Sequence, residues 1–151
     1  MIAEIELPEC LRMSSPNLKI ADVLRRDRRY AYPAYLFIFE ALEYTQDQIS
    51  RRESPHQARH VTGPELLRGV TELAQRDFGL LASAVFRVWG IQVTDDVGEI
   101  VFNLIEGGLL SKNDRDDRAD FHDVFDLEEA LREGYEIRCD DQSTSRKREP
   151  R

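Results

Sequence analysis

The architecture of this chain follows from residues 33–49, which read PAYLFIFEALEYTQDQI. Pro33 suits the first position of a helix, where its missing N–H has no partner to lose. The apolar residues that follow recur at helical spacing and cover most of the helix circumference: Tyr35, Leu36, Phe37, Ile38, Phe39, Ala41, Leu42, Tyr44 and Ile49. Because a helix that is apolar on most sides is buried on several sides, we expect it to be the central helix.

Further helices are predicted on both sides of the central one, over residues 17–28, 62–79, 80–89, 94–106 and 126–133. Their starts follow from capping residues. Thr62 with Glu65 and Asp126 with Glu129 have the spacing of capping boxes, and Thr94 precedes an acidic first turn. Asn17 is the predicted N-cap of the first helix. The pattern predicts a mainly α fold of about six helices.

A small β-hairpin is predicted near the end of the folded part. Residues 121–125, FHDVF, alternate apolar and polar side chains, which is typical of a half-buried strand, and an acidic loop precedes them. Helices followed by a short hairpin over residues 62–125 have the order of elements in a winged-helix domain. The fold class is therefore α+β at most, with a winged-helix-like segment as one interpretation.

The length of 151 residues fits one domain. We divide the chain into a weakly structured N-terminus (1–14), a single helical domain (15–137) and a disordered tail (138–151), because no apolar residue follows Cys139. Neither a signal peptide nor an apolar run of membrane-spanning length is evident, and Cys10 and Cys139 suggest no disulfide framework. We expect a cytoplasmic protein without a membrane association.

The distribution of charge argues against DNA as a partner. The net charge is −8, and all of it belongs to residues 61–151, since residues 1–60 are balanced. In a winged helix, the third helix would expose Asp95, Asp96, Glu99 and Asn103 without any Lys or Arg. DNA recognition needs cations at these places. The leading hypothesis is therefore a non-catalytic interaction module that presents these four residues to a partner protein, most naturally a basic one.

A cluster of arginines gives the alternative hypothesis, an RNA- or ribosome-associated protein. Arg25, Arg26, Arg28 and Arg29 stand together and are followed by Tyr30, so the cations could bind phosphate while the ring stacks on a base. The same residues also suit the C-terminal end of a helix, where cations interact favourably with the helix dipole and a tyrosine packs in the core.

No catalytic, metal-binding or cofactor-binding residues are predicted. Residues 113–120 are acidic but lack the ligand spacing of a calcium loop. His56 and His60 lie in a Pro-containing loop without a neighbouring cysteine, which does not favour zinc. Motifs of nucleophilic catalysis and of phosphate binding are not found in the sequence. An enzyme that assembles scattered carboxylates remains the third alternative.

Several motifs occur together along the folded part. They are RRY at 28–30, AY at 34–35, FEALEYT at 39–45, HVTG at 60–63, ELL at 65–67, WGI at 89–91, GEIVFNLIE at 98–106, GLLSK at 108–112, DF at 120–121 and DV at 123–124. Over about residues 18–131 the chain resembles a conserved-hypothetical family described from the Planctomycetes and Verrucomicrobia. The resemblance implies a bacterial, cytoplasmic setting, and it transfers neither an activity nor a site.

Overall fold

A computed structural model describes residues 16–52, 60–111 and 116–133. This part of the chain is mainly helical, as predicted. Its α-helices are α1 (Pro16–Arg26), α2 (Tyr32–Arg52), α3 (Gly63–Phe78), α4 (Ala82–Trp89), α5 (Thr94–Glu106) and α6 (Leu127–Glu133), and 3-10 turns occupy Gly79–Leu81 and Arg118–Phe121. The predictions for residues 1–14 and 138–151 lie outside the described residues.

Helix α2 lies at the centre of the domain, as its apolar circumference predicts. It packs against α1, α3, α4 and α5. The buried residues lie on more than one side of the helix: Ala34, Tyr35, Phe37, Ile38, Ala41, Leu42 and Thr45. Leu66, Val70 and Leu73 of α3 and Ile100 and Leu104 of α5 are buried in the same hydrophobic core. Burial of these apolar side chains supplies the main stabilisation of the fold.

Helices α2 and α3 are in close contact where Gly69 faces Thr45. A Cβ atom on Gly69 would overlap the Thr45 hydroxyl oxygen. That hydroxyl is held in place because it donates a hydrogen bond of 2.7 Å to the carbonyl oxygen of Ala41. A residue without a side chain at position 69 is therefore required for this packing distance.

The ends of α3 and α4 confirm the predicted start and stop signals. The Thr62 N–H donates to Glu65 Oε2 at 2.9 Å, and the Glu65 N–H donates to Thr62 Oγ1 at 3.4 Å, which completes the capping box. Gly90 ends α4 in the left-handed conformation, with φ at 90°. A Cβ on Gly90 would meet the carbonyl oxygen of Arg29, so the segment between α1 and α2 lies directly against this end of α4.

The prediction that Thr94 caps α5 is wrong. Thr94 is the first residue of the helix, and its hydroxyl instead accepts a hydrogen bond of 3.3 Å from the Val124 N–H. The capping carboxylate is that of Asp96, which accepts from the N–H groups of Gln92 at 2.8 Å and Val93 at 3.1 Å. A longer acidic side chain inside the first turn reaches back to these free donors, which leaves Thr94 available for a tertiary contact.

The predicted strand at residues 121–125 is also wrong. Arg118–Phe121 is a 3-10 turn that begins where the Asp117 side chain accepts the Ala119 N–H at 3.2 Å. Phe121 is buried beside Gly98 of α5, and the chain then turns through Asp123, whose φ is 46°. The described part of residues 62–125 contains no strand, so it provides neither the hairpin nor the wing. The alternating pattern reflects one buried Phe rather than a sheet face.

Candidate functional site

The segment that joins α1 to α2 is fixed to α5 by ion pairs. Arg29 Nη2 lies 2.7 Å from Asp27 Oδ2 and 3.2 Å from Glu99 Oε2. The hydrogen bonds from the Arg29 guanidinium hold the pKa of Asp27 well below its usual range, against the opposing effect of partial burial. Arg118 extends the network, since it lies 3.2 Å from both Glu99 and Glu106.

Hydrogen bonds between polar side chains also join this segment to α5 and α2. The Tyr30 hydroxyl donates to Asp96 Oδ1 at 2.8 Å, and the tyrosine is only 3% exposed. Burial is the main cause of the raised pKa of Tyr30, and the hydrogen bond to Asp96 raises it further. The Asn103 amide donates to Asp27 Oδ2 at 2.9 Å and to the Tyr35 hydroxyl at 3.2 Å. These contacts are internal to the fold.

The two groups of residues predicted as separate sites therefore contact each other. Arg29 and Tyr30, assigned to RNA binding, contact Glu99 and Asp96, which were assigned to protein binding. Asn103 of the same protein-binding group binds Asp27, which is also the partner of Arg29. The ion pair and the hydrogen bond between these two groups attach α5 to the segment between α1 and α2. The sequence contained the opposite charges of the two segments, but only their packing shows that these side chains meet.

The other predicted site residues do not belong to this contact between the α1–α2 segment and α5. Asp95 lies 2.7 Å from Nδ1 of His122, and Arg25 lies 3.2 Å from Asp22 of the same helix. Arg26 and Arg28 are exposed, and no carboxylate in the described part of the chain pairs with either one. Of the arginine cluster, these two side chains are the ones available to an anionic partner.

A second surface, which the sequence analysis missed, lies on the outside of α4. Every residue of this helix except Ser83 and Arg87 is apolar. Its inner side is buried through Ala82 and Phe86, whereas the outer side is exposed. We call the exposed residues of this side, together with the exposed leucines of the preceding 3-10 turn, the α4 outer face: Leu80 (60% exposed), Leu81 (66%), Ala84 and Val88 (81%). The signal that could have revealed it is the apolar character of the whole helix, because such a helix is normally buried on all sides.

Aromatic packing holds α4 in this orientation. The ring of Phe86 lies 5.5 Å from that of Phe37 and 5.8 Å from that of Trp89, measured between centroids. Phe78, at the end of α3, lies 5.5 Å from Trp89. These contacts fix α4 from its inner side, so the outer face cannot turn inward without breaking them. At its edge, Arg87 pairs with Glu128 of α6 at 3.0 Å.

A third feature is a cleft of about 180 Å³ between the C-terminal half of α2 and the N-terminal half of α3. Gly69 and Thr45, which are in close contact, lie along it, and Tyr44 and Ile49 add aromatic and apolar surface. The charged side chains that line it are Arg52, Glu65, Arg68 and Glu72. Its volume is smaller than that of sites for drug-sized ligands, which start at about 300 Å³.

The described residues form neither a metal-binding cluster nor a membrane-spanning helix. Within residues 16–52, 60–111 and 116–133, no cluster of three or more His, Cys, Asp or Glu side chains could hold a metal ion. Among the same residues no helix has both the length and the apolar character needed to cross a bilayer. The chain matches no protein-family model, and neither a curated protein nor a solved structure is significantly similar to it.

Proposed function

We propose that this protein is a non-catalytic protein-interaction module that binds its partner through the α4 outer face. The observation that supports the proposal is the exposure of Val88 of α4 (81%) and of Leu81 in the 3-10 turn directly before it (66%), while the aromatic contact of Phe86 with Phe37 holds α4 from its other side. Apolar side chains that are grouped on one surface mark interaction sites, whereas single exposed ones need no explanation.

This proposal moves the contact surface away from the acidic residues of α5. Asp96, Glu99 and Asn103 already bind side chains or backbone groups of their own chain. A partner that used them would have to displace Arg29 and Tyr30 and so break the join between α5 and the α1–α2 segment. The α4 outer face can be covered without breaking any of these contacts.

The spacing of the face favours a helix as the partner element. Leu81, Ala84 and Val88 follow one another at intervals of three and four residues, and the small Ala84 between two larger side chains allows a second helix to approach closely. The net charge of −8 favours a partner helix whose apolar stripe is flanked by Lys or Arg. We therefore infer an amphipathic, basic helix of another protein.

The test compares two double variants of the full chain as baits in nuclease-treated native lysate. Leu81→Ser with Val88→Ser removes the apolar character of the face. Leu36→Ser with Val124→Ser is the matched control, because these residues are also exposed (42% and 38%) but do not belong to the α4 outer face. We expect a protein that is retained by the wild type and the control to be lost from the α4 variant.

The candidate from that comparison is then purified, and its affinity for the three baits is measured directly. A loss of about tenfold or more with the α4 variant alone supports the proposal. Equal affinity for all three baits contradicts it. Light scattering of the isolated protein covers the case of self-association: a dimer that dissociates in the α4 variant would make a second copy, rather than another protein, the occupant of this face.

RNA binding is the second candidate, and the exposed Arg26 and Arg28 favour it. Of the predicted cluster, Arg29 and Tyr30 are engaged with α5, so the surface left for RNA is small. Arg26→Gln with Arg28→Gln should abolish any salt-dependent binding of single-stranded RNA, measured by fluorescence anisotropy. If the wild type shows no such binding at low salt, this candidate is excluded.

A further inference from the structure

Most arginines in the described part of the chain form ion pairs with carboxylates: Arg25, Arg29, Arg51, Arg76, Arg87, Arg118 and Arg132. Those that do not pair with a described carboxylate occur in two places. Arg26 and Arg28 lie at the end of α1, and Arg52 and Arg68 line the cleft between α2 and α3. In an acidic chain with a net charge of −8, two such guanidinium groups on one cavity are unexpected.

The carboxylates of the same cleft form no ion pair with these arginines. Glu65 accepts the Thr62 N–H at 2.9 Å as part of the capping box of α3. Glu72 accepts a long hydrogen bond of 3.4 Å from the Tyr44 hydroxyl. Arg68 lies three residues after Glu65 and four before Glu72, yet it pairs with neither. Its guanidinium is therefore available to a ligand, as is that of Arg52.

We propose that the cleft binds a small phosphate monoester, with its phosphate between Arg52 and Arg68 and its organic part on Tyr44 and Ile49. One guanidinium group is enough to satisfy both oxygens of a carboxylate in a bidentate pair. Two guanidinium groups on different helices match the three terminal oxygens of a phosphate monoester. The volume of about 180 Å³ limits the ligand to a small molecule.

Gly69 makes the cleft suitable for detection of the ligand. It is buried where the two helices meet, it lines the cavity, and its own amide N–H belongs to α3. Binding should therefore shift the Gly69 amide resonance in a ¹H–¹⁵N spectrum. The amide of Gly107, at the opposite, C-terminal end of α5, is a reference that should not move.

The experiment titrates the full chain with inorganic phosphate, phenyl phosphate, dimethyl phosphate and acetate at matched ionic strength. We expect saturable shifts of Gly69 with the first two probes and tighter binding of phenyl phosphate, because its ring adds apolar contact. Dimethyl phosphate represents the diester of a nucleic-acid backbone. If it or acetate binds as tightly as phenyl phosphate, the assignment to a phosphate monoester is wrong.

Variants then test the residues. Arg52→Gln with Arg68→Gln should weaken phenyl phosphate binding about tenfold or more, since each bidentate ionic contact contributes at least that factor. Arg25→Gln with Arg132→Gln removes the same charge from exposed, ion-paired positions outside the cleft and should leave the affinity unchanged. Glu72→Gln should tighten binding, because it removes a negative charge from the cleft. Equal affinity of the wild type and the Arg52/Arg68 variant, with both folded by circular dichroism, would overturn the proposal.

Discussion

The Tyr30 hydroxyl donates a hydrogen bond of 2.8 Å to Asp96 Oδ1 across 66 residues of sequence. The acceptor is the same carboxylate whose other oxygen receives the N–H groups of Gln92 and Val93 ahead of α5. One side chain thus caps a helix and also holds the buried ring of the α1–α2 segment. The start of α5 and the position of this segment are therefore coupled.

Tyr30→Phe tests this coupling. The ring remains buried, but Asp96 loses a donor in a partly buried site, so we expect the free energy of unfolding to fall by about 1–2 kcal/mol. Tyr44→Phe is the matched control, since its bond to Glu72 is exposed and 3.4 Å long, and its loss should be close to neutral. Urea denaturation of both variants measures the difference. Equal effects would mean that the Tyr30 bond contributes nothing of its own.

Two neighbouring arginines should respond differently to the same substitution. Arg29 binds Asp27 and Glu99, whereas Arg28 is exposed without an ion pair in the described part of the chain. Arg29→Gln should therefore lower the free energy of unfolding by about 1–2 kcal/mol, and Arg28→Gln should change it by less than about 0.5 kcal/mol. Chemical denaturation at physiological salt gives both values. A destabilised Arg28→Gln variant would contradict the inference that Arg29, but not Arg28, makes contacts that stabilise the fold.

The stability of the wild type should also depend on Asp27. The pKa of Asp27 is lowered in the folded state, chiefly by Arg29. The stabilisation of the fold by ionised Asp27 is therefore fully present above the unfolded pKa of 3.8, and it is lost as the pH falls through the folded pKa. Loss of Arg29 removes the main cause of this shift. The Arg29→Gln variant is therefore expected to lose less stability than the wild type when the pH is lowered below about 4.

Gly69→Ala should separate α2 from α3. The added Cβ overlaps the Thr45 hydroxyl, so we expect a loss of about 1–3 kcal/mol from overpacking. Thr45→Ala removes that hydroxyl, and the double variant should recover part of the loss. A double-mutant cycle by urea denaturation measures the coupling between the two positions. Additive effects would show that some other contact limits the distance between the helices.

The two sides of α4 should differ in their effect on folding. Phe86→Ala leaves a cavity among the aromatic rings that pack against α4, and it should lower the free energy of unfolding by about 3–5 kcal/mol. Val88→Ser, two residues further on, changes a side chain that is 81% exposed and should alter stability by less than about 0.5 kcal/mol. Thermal unfolding compares them. A strongly destabilised Val88→Ser variant would mean that the α4 outer face is covered within the chain itself.

Local sequence signals predicted the mainly helical fold, but they failed where a side chain binds a residue that is remote in sequence. The Thr62–Glu65 capping box and the stop at Gly90 involve residues a few positions apart, and both are confirmed. Thr94 has the residue type of a cap, but a backbone N–H 30 residues away binds its hydroxyl instead. The prediction failed because residue type limits which hydrogen bonds a side chain can make but does not select among its partners.

The same reason explains the outcome for the predicted sites. Arg29 and Glu99 have the charges of surface residues, and nothing within either segment indicates that they meet 70 residues apart. The alternation at residues 121–125 is equally local, and a 3-10 turn followed by a left-handed Asp123 satisfies it with one buried Phe. The α4 outer face was missed because the pattern of residues 80–89 predicts a helix but does not show which of its sides the rest of the fold covers.

The segment after this 3-10 turn is attached to the start of α5 by an ion pair that responds to pH. His122 Nδ1 lies 2.7 Å from Asp95 Oδ1, and the N–H groups of Asp123 and Val124 donate to Asp95 and Thr94 at 3.3 Å each. The bond to Asp95 raises the pKa of His122 above its ordinary value of 6.5, and the neighbouring Asp123 adds to the effect. The same bond lowers the pKa of Asp95 below its ordinary 3.8.

The stabilisation by this pair is therefore expected between about pH 4 and pH 6.5, where both groups are charged. It is present below the unfolded pKa of His122 and is lost as the pH rises through the raised folded value. It is also lost at the acidic end, as the pH falls through the lowered pKa of Asp95.

His122→Gln should consequently destabilise the protein at pH 5 and have little effect at pH 8, as measured by urea denaturation at both values. In an Asp95→Asn background the same substitution should show no such pH dependence, because the partner charge is absent. A His122→Gln effect of equal size at the two pH values would instead assign the role of this side chain to packing rather than charge.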